Sequence, residues 1–578
     1  MGVLTARICA GVLLVCATQA LGAPPRSTIR IVNLAHPTPT RVLIRLDPSD
    51  ARYDNAAHPD GFYLETSDSE YATLGAGLGA AANGDTVYAH SGTYVQRITS
   101  GAPNAMLNPN IVYHGAYDQS TVQQGTTASN YIFGAPTEAR PGCKIRHVMF
   151  DGDGPVIVNH VFELSQAVDF TIEECWSRGA LRGIIAHGAA YGSFPGANGV
   201  LIEDCYFASD YADASPGTDM NAVSMTGITT RQATDVTIRD TVFDFRNATA
   251  QRSTFQLSGF INLRMERVLI WCAATTQAAQ SYGIRVIGDA AGVNIPNGLH
   301  LEDVYLIGQL RAGNPNSGFG LFHLGTVLDS YQSIVDNVSI LHSEFTVPSV
   351  GQVYFNTKFE SDFESGTSGN NNSFSDQIQV HDSVFRGGYV TLSAQESIRH
   401  ATYTNCKLVG PGRIADYGFP TFGFVFEDSR WITVSNLEIY NVQRGFALSF
   451  SGGEPSLPTY NNYKIDILGC RVFDSDYAFW INRSEGETMP MDSLLNGLRS
   501  AGNIAVNCGG WAYEYVEPGA AAMTLDQWKA LVIPNVPTFW QHGFGDMIFE
   551  GNEAALLRSG AVRLPQPLGS SVGPRWNP

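Results

Sequence analysis

The chain has 578 residues, 44% of them hydrophobic, with 35 Lys and Arg against 54 Asp and Glu and a formal charge of −19. That charge excludes nucleic acid and anionic membrane surfaces as general partners and leaves room only for a locally basic groove. Lysine occurs only at Lys144, Lys358, Lys407, Lys464 and Lys529, so a basic site must draw mainly on arginine.

Arg7, the apolar stretch Ile8 to Ala17 and the small residues around Ala20 and Ala23 predict a secretory signal peptide over 1–23. The apolar run is too short to span a bilayer, and no second long run follows, so no transmembrane segment is expected. The expected location is secreted, extracellular or periplasmic. Residues 24–66 form an N-terminal extension, 67–573 the body and 574–578 a tail. Ser69 is placed to cap a short Ala-rich helix ending at Asn83-Gly84. The stretch "ANGDTVYAHSGTYVQRI" (82–98) then reads as strand, turn, strand. Near the other end, Thr524-Leu525-Asp526-Gln527 has capping-box spacing and predicts a C-terminal cap helix near 524–531.

Between these ends runs a repeat. "FTIEECWS" (170–177), "VLIEDCYF" (200–207), "VTIRDTVF" (236–243), "LRMERVLI" (263–270) and "LHLEDVYL" (299–306) share one pattern. It continues through "VSILHSEF" (338–345), "IQVHDSVF" (378–385), "ATYTNCKL" (401–408), "ITVSNLEI" (432–439), "IDILGCRV" (465–472) and "IAVNCGGW" (504–511). That is about eleven copies at a spacing of roughly 33 residues, the mark of a solenoid. Each copy alternates apolar and polar residues, which is strand period. A second strand follows most copies, as in "TFQLSG" (254–259), "GIRVIG" (283–288), "GLFHLG" (320–325) and "AFWINR" (478–483). No helical periodicity separates the strands, so βαβ units are excluded. The fold class is therefore all-β: a single-stranded right-handed parallel β-helix of about eleven or more coils with short helical caps.

Seven cysteines remain after the signal segment, without metal-ligand spacing. Cys175, Cys205, Cys406, Cys470 and Cys508 occupy like places in their copies, which predicts a column of buried free thiols. A Cys175–Cys205 bridge is the alternative.

The chain resembles the pectin-lyase-like superfamily of secreted right-handed parallel β-helix proteins. The resemblance lies in "NGDTVYAHSGTY", "CKIRHVMFDGDG" (143–154), the "IEDC"-type repeats, "MTLDQW" and the tail "VRLPQPLGSSVG" (562–573). It covers roughly residues 70 to 573 and implies an extracellular polysaccharide as partner. It also implies binding and cleavage of that polysaccharide, with β-elimination placed ahead of glycoside hydrolysis. A non-catalytic surface or adhesive role is the alternative class.

Aligned on their inward residues, the second strands place Arg285, Tyr354 and Lys358 outward as a catalytic set of cation, base and second cation. His187, Gln256, Phe322, Asn356 and Trp480 are the expected substrate-binding residues. A one-residue slip in register would exchange the faces and expose His323. The chain departs from chondroitinase- and alginate-lyase-like members, since Asn356 stands where their lysine would be and Ser393-Ala394 where their Arg-His would be. The paired carboxylates of polygalacturonase-like members are absent. No cofactor is assigned. Ca²⁺ is the one candidate, at the weak cluster Asp210, Asp213 and Asp219, whose plainer role is turn formation.

Overall fold

The computed structural model describes the strands and turns within 141–516, the backbone of short strands before them and of Ile548–Phe549 after them, and residues 568 and 572–576 of the C-terminal segment. Connecting stretches such as 186–195, 210–222, 325–334 and 361–374 lie outside the described residues, as do the signal segment and the proposed cap helix near 524–531.

Each coil of the body makes three short strands. Two of them belong to one continuous sheet of 29 strands, here sheet A, and the third to a sheet of 13 strands, sheet B. Within the body every pairing between successive coils is parallel, for instance Leu201–Glu203 on Thr171–Glu173 and Val390–Gln395 on Phe355–Glu360. The molecule is thus a parallel β-helix, right-handed as crossovers between parallel strands are. All described regular structure is strand or turn. Glu70–Tyr71, at the start of the predicted N-terminal helix, is extended and pairs antiparallel with Val42–Leu43. Val42–Arg45 also pairs antiparallel with Thr86–Ala89, which covers an edge of sheet A that would otherwise present unpaired backbone groups.

The bend between the two strands of sheet A explains the repeat. Its residue is held at positive φ in coil after coil: Glu174, Asp204, Asp240, Arg267, Asp303, His342, Asp382, Asn405 and Asn436. Left-handed backbone turns the strand without interrupting the ladder, and short polar side chains tolerate it best. The next residue points inward and is small or apolar. Cys175 Sγ donates to Glu173 O and Cys406 Sγ to Thr404 O, both at 3.3 Å, and Ser343 and Ser383 make the same contact through Oγ. The thiol and hydroxyl are interchangeable here because the position asks for a small donor to the carbonyl two residues back. All described cysteines are free. Cys508 is an exception to the predicted column. Ile504–Val506 pairs with Arg471–Phe473, the second strand of its coil, so the last repeat copy is displaced and Cys508 lies beyond the strand.

The interior is filled by an aromatic spine. Phe207, Phe243 and Phe255 meet in sequence at centroid distances of 5.5 and 5.0 Å, and Phe322 sits between Phe345 and Phe359 at 5.5 and 5.9 Å. Each such ring contributes about 1.5–3 kcal/mol by burial, and the repetition holds successive coils in one register.

A basic strip on the outer face of sheet B as the candidate site

Sheet B starts each strand at a corner, and the corner breaks simple alternation. In the coil of Gly320–Leu324, Leu321 and Phe322 both pack into the main core, and only then does His323 face outward. The residue before this inward pair also lies on the outer face, as ring contacts with the outward row show. The Tyr282 and His323 rings lie 5.0 Å apart, tilted by 30°, and Phe355 lies 4.8 Å under the Lys358 ammonium.

The outward row follows from strand register. Gln256 pairs with Arg285, Arg285 with His323, His323 with Lys358 and Lys358 with Ser393. The row continues through Val425, Ala447 and Trp480. Three consecutive coils thus present Arg285, His323 and Lys358, one strand spacing of about 4.8 Å apart. No carboxylate stands in the row from Gln256 to Trp480. In a chain of charge −19 this is a locally basic strip. All three side chains are buried, at 5, 2 and 8% exposure. Burying charge is costly unless it is paired or hydrogen-bonded. Next to Lys358, the buried Ser393 Oγ makes no hydrogen bond among the described residues.

Beside the strip lies an aromatic wall. The Arg285 guanidinium sits 5.1 Å over Tyr282. Towards the C-terminal coils, Phe355, Val390, Val425, Ala447 and Trp480 form a second apolar cluster on this outer face, with Phe422 against it. Arg444 lies 3.9 Å over the Trp480 ring and 5.3 Å over Phe422. Arginine over an aromatic face gains a cation–π contact while its planar body is packed.

The expected site residues separate accordingly. Arg285 and Lys358 lie in one outward row, each beside His323, and Gln256 and Trp480 lie in the same row. Two assignments are corrected. Phe322 faces the interior, within the aromatic spine. Asn356 is fully buried, and its Nδ2 donates to Phe345 O at 2.9 Å and Arg386 O at 2.7 Å, so it braces two neighbouring turns instead of meeting ligand. Both errors come from counting alternation straight through the corner, where two successive residues face inward. His323 was the residue missed, and the alternative register pointed to it. Tyr354, His187, Asp210, Asp213 and Asp219 lie outside the described residues.

Among the described residues one group has metal-ligand character. Glu266, His300 and Glu302, on sheet A, bring ligand atoms within 4.8 Å of one another. Arg264 donates to Glu266 Oε1 at 2.6 Å, Arg575 pairs with Glu302, and His300 Nδ1 meets Ser339 Oγ at 2.6 Å. Burial draws the Glu302 carboxyl upward, but hydrogen bonds from His300 and Arg575 outweigh it and hold the group below its ordinary value. With each carboxylate matched to a guanidinium, the group is an ion-pair network and offers little to a hard cation.

No family model matches the chain, and no curated protein matches it. Similar solved structures include a mannuronic acid specific polysaccharide family 6 lyase from human gut microbiota, 12% identical, covering 86% of this chain and 92% of that one at a TM-score of 0.37. The A-module of a mannuronan C-5 epimerase from Azotobacter vinelandii is 11% identical, covering 75% and 87% at 0.35. A surface adhesin of Streptococcus pneumoniae is 9% identical, covering 75% and 85% at 0.32. The class that the strand pairing itself defines is the single-stranded parallel β-helix.

No described helix is long and apolar enough to cross a membrane.

Proposed function

We infer that the chain is a polysaccharide-binding β-helix that takes an acidic, uronate-containing polymer along the outer face of sheet B and cleaves it by β-elimination. The observation that carries this reading is the run Arg285–His323–Lys358 on consecutive coils, with no carboxylate in the row between Gln256 and Trp480. A uronate needs its carboxylate neutralised before the adjacent carbon will release a proton, and Arg285 or Lys358 supplies that charge. His323, between the two cations, is the base that removes the proton. Electrons of that C–H bond form the new carbon–carbon double bond, and the glycosidic oxygen leaves with the electrons of its bond to the ring, accepting the proton that His323 has taken. Arg285 and Lys358 keep the roles expected of them, while His323 takes the base role assigned to Tyr354.

Glycoside hydrolysis is the weaker reading of the same face, because it needs two carboxylates flanking the bond and the row offers none between Gln256 and Trp480. The test is incubation of the full chain with a panel of uronate and neutral polysaccharides, following both the ultraviolet absorbance of an unsaturated uronate and the release of reducing ends. Absorbance together with new ends supports the lyase. New ends without absorbance would make it a hydrolase, and retained binding with neither signal would make it a non-catalytic binding protein.

A further inference from the structure

A second ladder of left-handed residues runs along the corner where each coil enters sheet A. In register it comprises Asp169, Gly199, Asp235, Asn262, Gly298, Asn337, Gln377, His400, Trp431 and Lys464, all at positive φ. The first six are Asp, Asn or Gly, the residues that this backbone accepts most easily. The last four are not. Trp431, at φ +52°, is a bulky aromatic in a conformation that costs about 1 kcal/mol or more for such a side chain. It is nevertheless one of two large apolar residues that are exposed among those described, at 37%. The backbone gains nothing from tryptophan here, and the core gains little.

The surroundings say what the ring is placed for. Trp431 stacks on His400 at 5.0 Å with an interplanar angle of 21°. His400 is oriented by Asp376, which its Nδ1 meets at 2.8 Å, and Asp376 also accepts from Arg399 Nε at 2.9 Å. Arg430 follows Arg399 in the adjoining column, and Lys464, exposed, follows Trp431 in the ladder. Arg399 and Arg430 thus precede the two stacked rings in sequence, and Lys464 stands next in the ladder on the following coil. Flat rings suit the apolar face of a sugar, and flanking cations suit its carboxylate.

We propose that His400, Trp431, Arg430 and Lys464 form a surface subsite for an acidic polysaccharide, on the sheet A corner and separate from the basic strip of sheet B. It rests on the proposed substrate class but not on the proposed chemistry. Such a subsite holds a long polymer against the enzyme and leaves short oligosaccharides unaffected.

The test is the variant Trp431→Asn, which supplies a residue that the ladder already uses at Asn262 and Asn337. The expected variant melts at the same temperature as the wild type or higher. It is retained severalfold less by an alginate or pectate gel in affinity electrophoresis, and it acts on short oligouronates as the wild type does. Lys464→Ala moves retention in the same direction. Unchanged retention of Trp431→Asn would overturn the subsite. So would a lower melting temperature with retention falling only in proportion to unfolding, since the ring would then serve the fold. A wild type that no acidic polymer retains would instead remove the proposed substrate class, a result distinguishable from either.

Discussion

Asn356 is the position at which the register of the site can be tested apart from activity. Alternation counted through the corner places it in the groove, whereas the structure buries it completely. Its Nδ2 donates to Phe345 O and Arg386 O, and its Oδ1 accepts from Thr357 Oγ1 at 3.1 Å. Asn356→Ala removes three hydrogen bonds, each contributing about 1 kcal/mol net. Arg386 O keeps the amide of Val347 at 2.9 Å, so one acceptor is left partly satisfied. The expected loss is therefore about 2–3 kcal/mol, concentrated in the coils on either side. Chemical denaturation followed by circular dichroism should show an earlier midpoint, and hydrogen exchange should speed up in residues 355–360 and 384–386. Polymer affinity per folded molecule should not change. A variant with wild-type stability and lost polymer binding would refute the assigned register, and with it the row that unites Arg285, His323 and Lys358.

Three further outcomes follow from the same geometry. Lys358→Ala should lower turnover on a uronate polymer roughly 10²-fold by removing a fixed positive charge from the developing enolate, as read by the chromophore assay; an unchanged rate would remove Lys358 from the chemistry. Burial pushes the thiols of Cys272, Cys406 and Cys470 up to about 12, so a colourimetric thiol reagent at mildly alkaline pH should leave them unmodified until the chain unfolds, with the less buried Cys508 reacting first. Rapid labelling of all seven in the native protein would contradict the buried column. The C-terminal segment should loosen in acid. Burial raises the Asp303 carboxyl, but hydrogen bonds from Arg575 outweigh it and hold the group below 3.8. A depressed carboxylate adds stability above its unfolded value and loses it as pH falls through the folded one. Proteolysis near 573–576 should accordingly rise below about pH 4 in the wild type, and Arg575→Ala should be cleaved readily at neutral pH as well.

Much of the fold was legible because one physical unit repeats. The strand, the left-handed polar residue and the small inward donor recur in "IEEC", "IEDC" and "YTNC", and each copy satisfies the same backbone bend. The last copy was misplaced because "IAVNC" imitates the pattern one strand late. The site was less legible for a local reason. Periodicity of two holds within a strand, but sheet B begins at a corner where Leu321 and Phe322 both turn inward. Arg285 and Trp480 were placed outward because their strands were counted from the correct side of that corner. Phe322 and Asn356 were counted across it. The outer row Tyr282, Phe355 and Phe422 had no sequence signal, because its residues precede the alternating segment. The C-terminal return was equally hidden. Leu568 N reaches Glu438, Gly573 N reaches Asp382 O and Arg575 N reaches Asp303, so the segment runs back along the coils through contacts far apart in sequence.

His323→Ala tests most directly whether the basic strip performs elimination on an acidic polymer. The wild type and the variant would be compared on whichever uronate polymer the wild type binds, with binding and unsaturated product measured in the same preparation. Elimination by the strip should give a growing ultraviolet chromophore with the wild type. The rate should fall by roughly 10²–10⁴-fold in His323→Ala, with polymer binding retained through Arg285 and Lys358. Chromophore formation at the wild-type rate in His323→Ala, or new reducing ends without chromophore in the wild type, would contradict it.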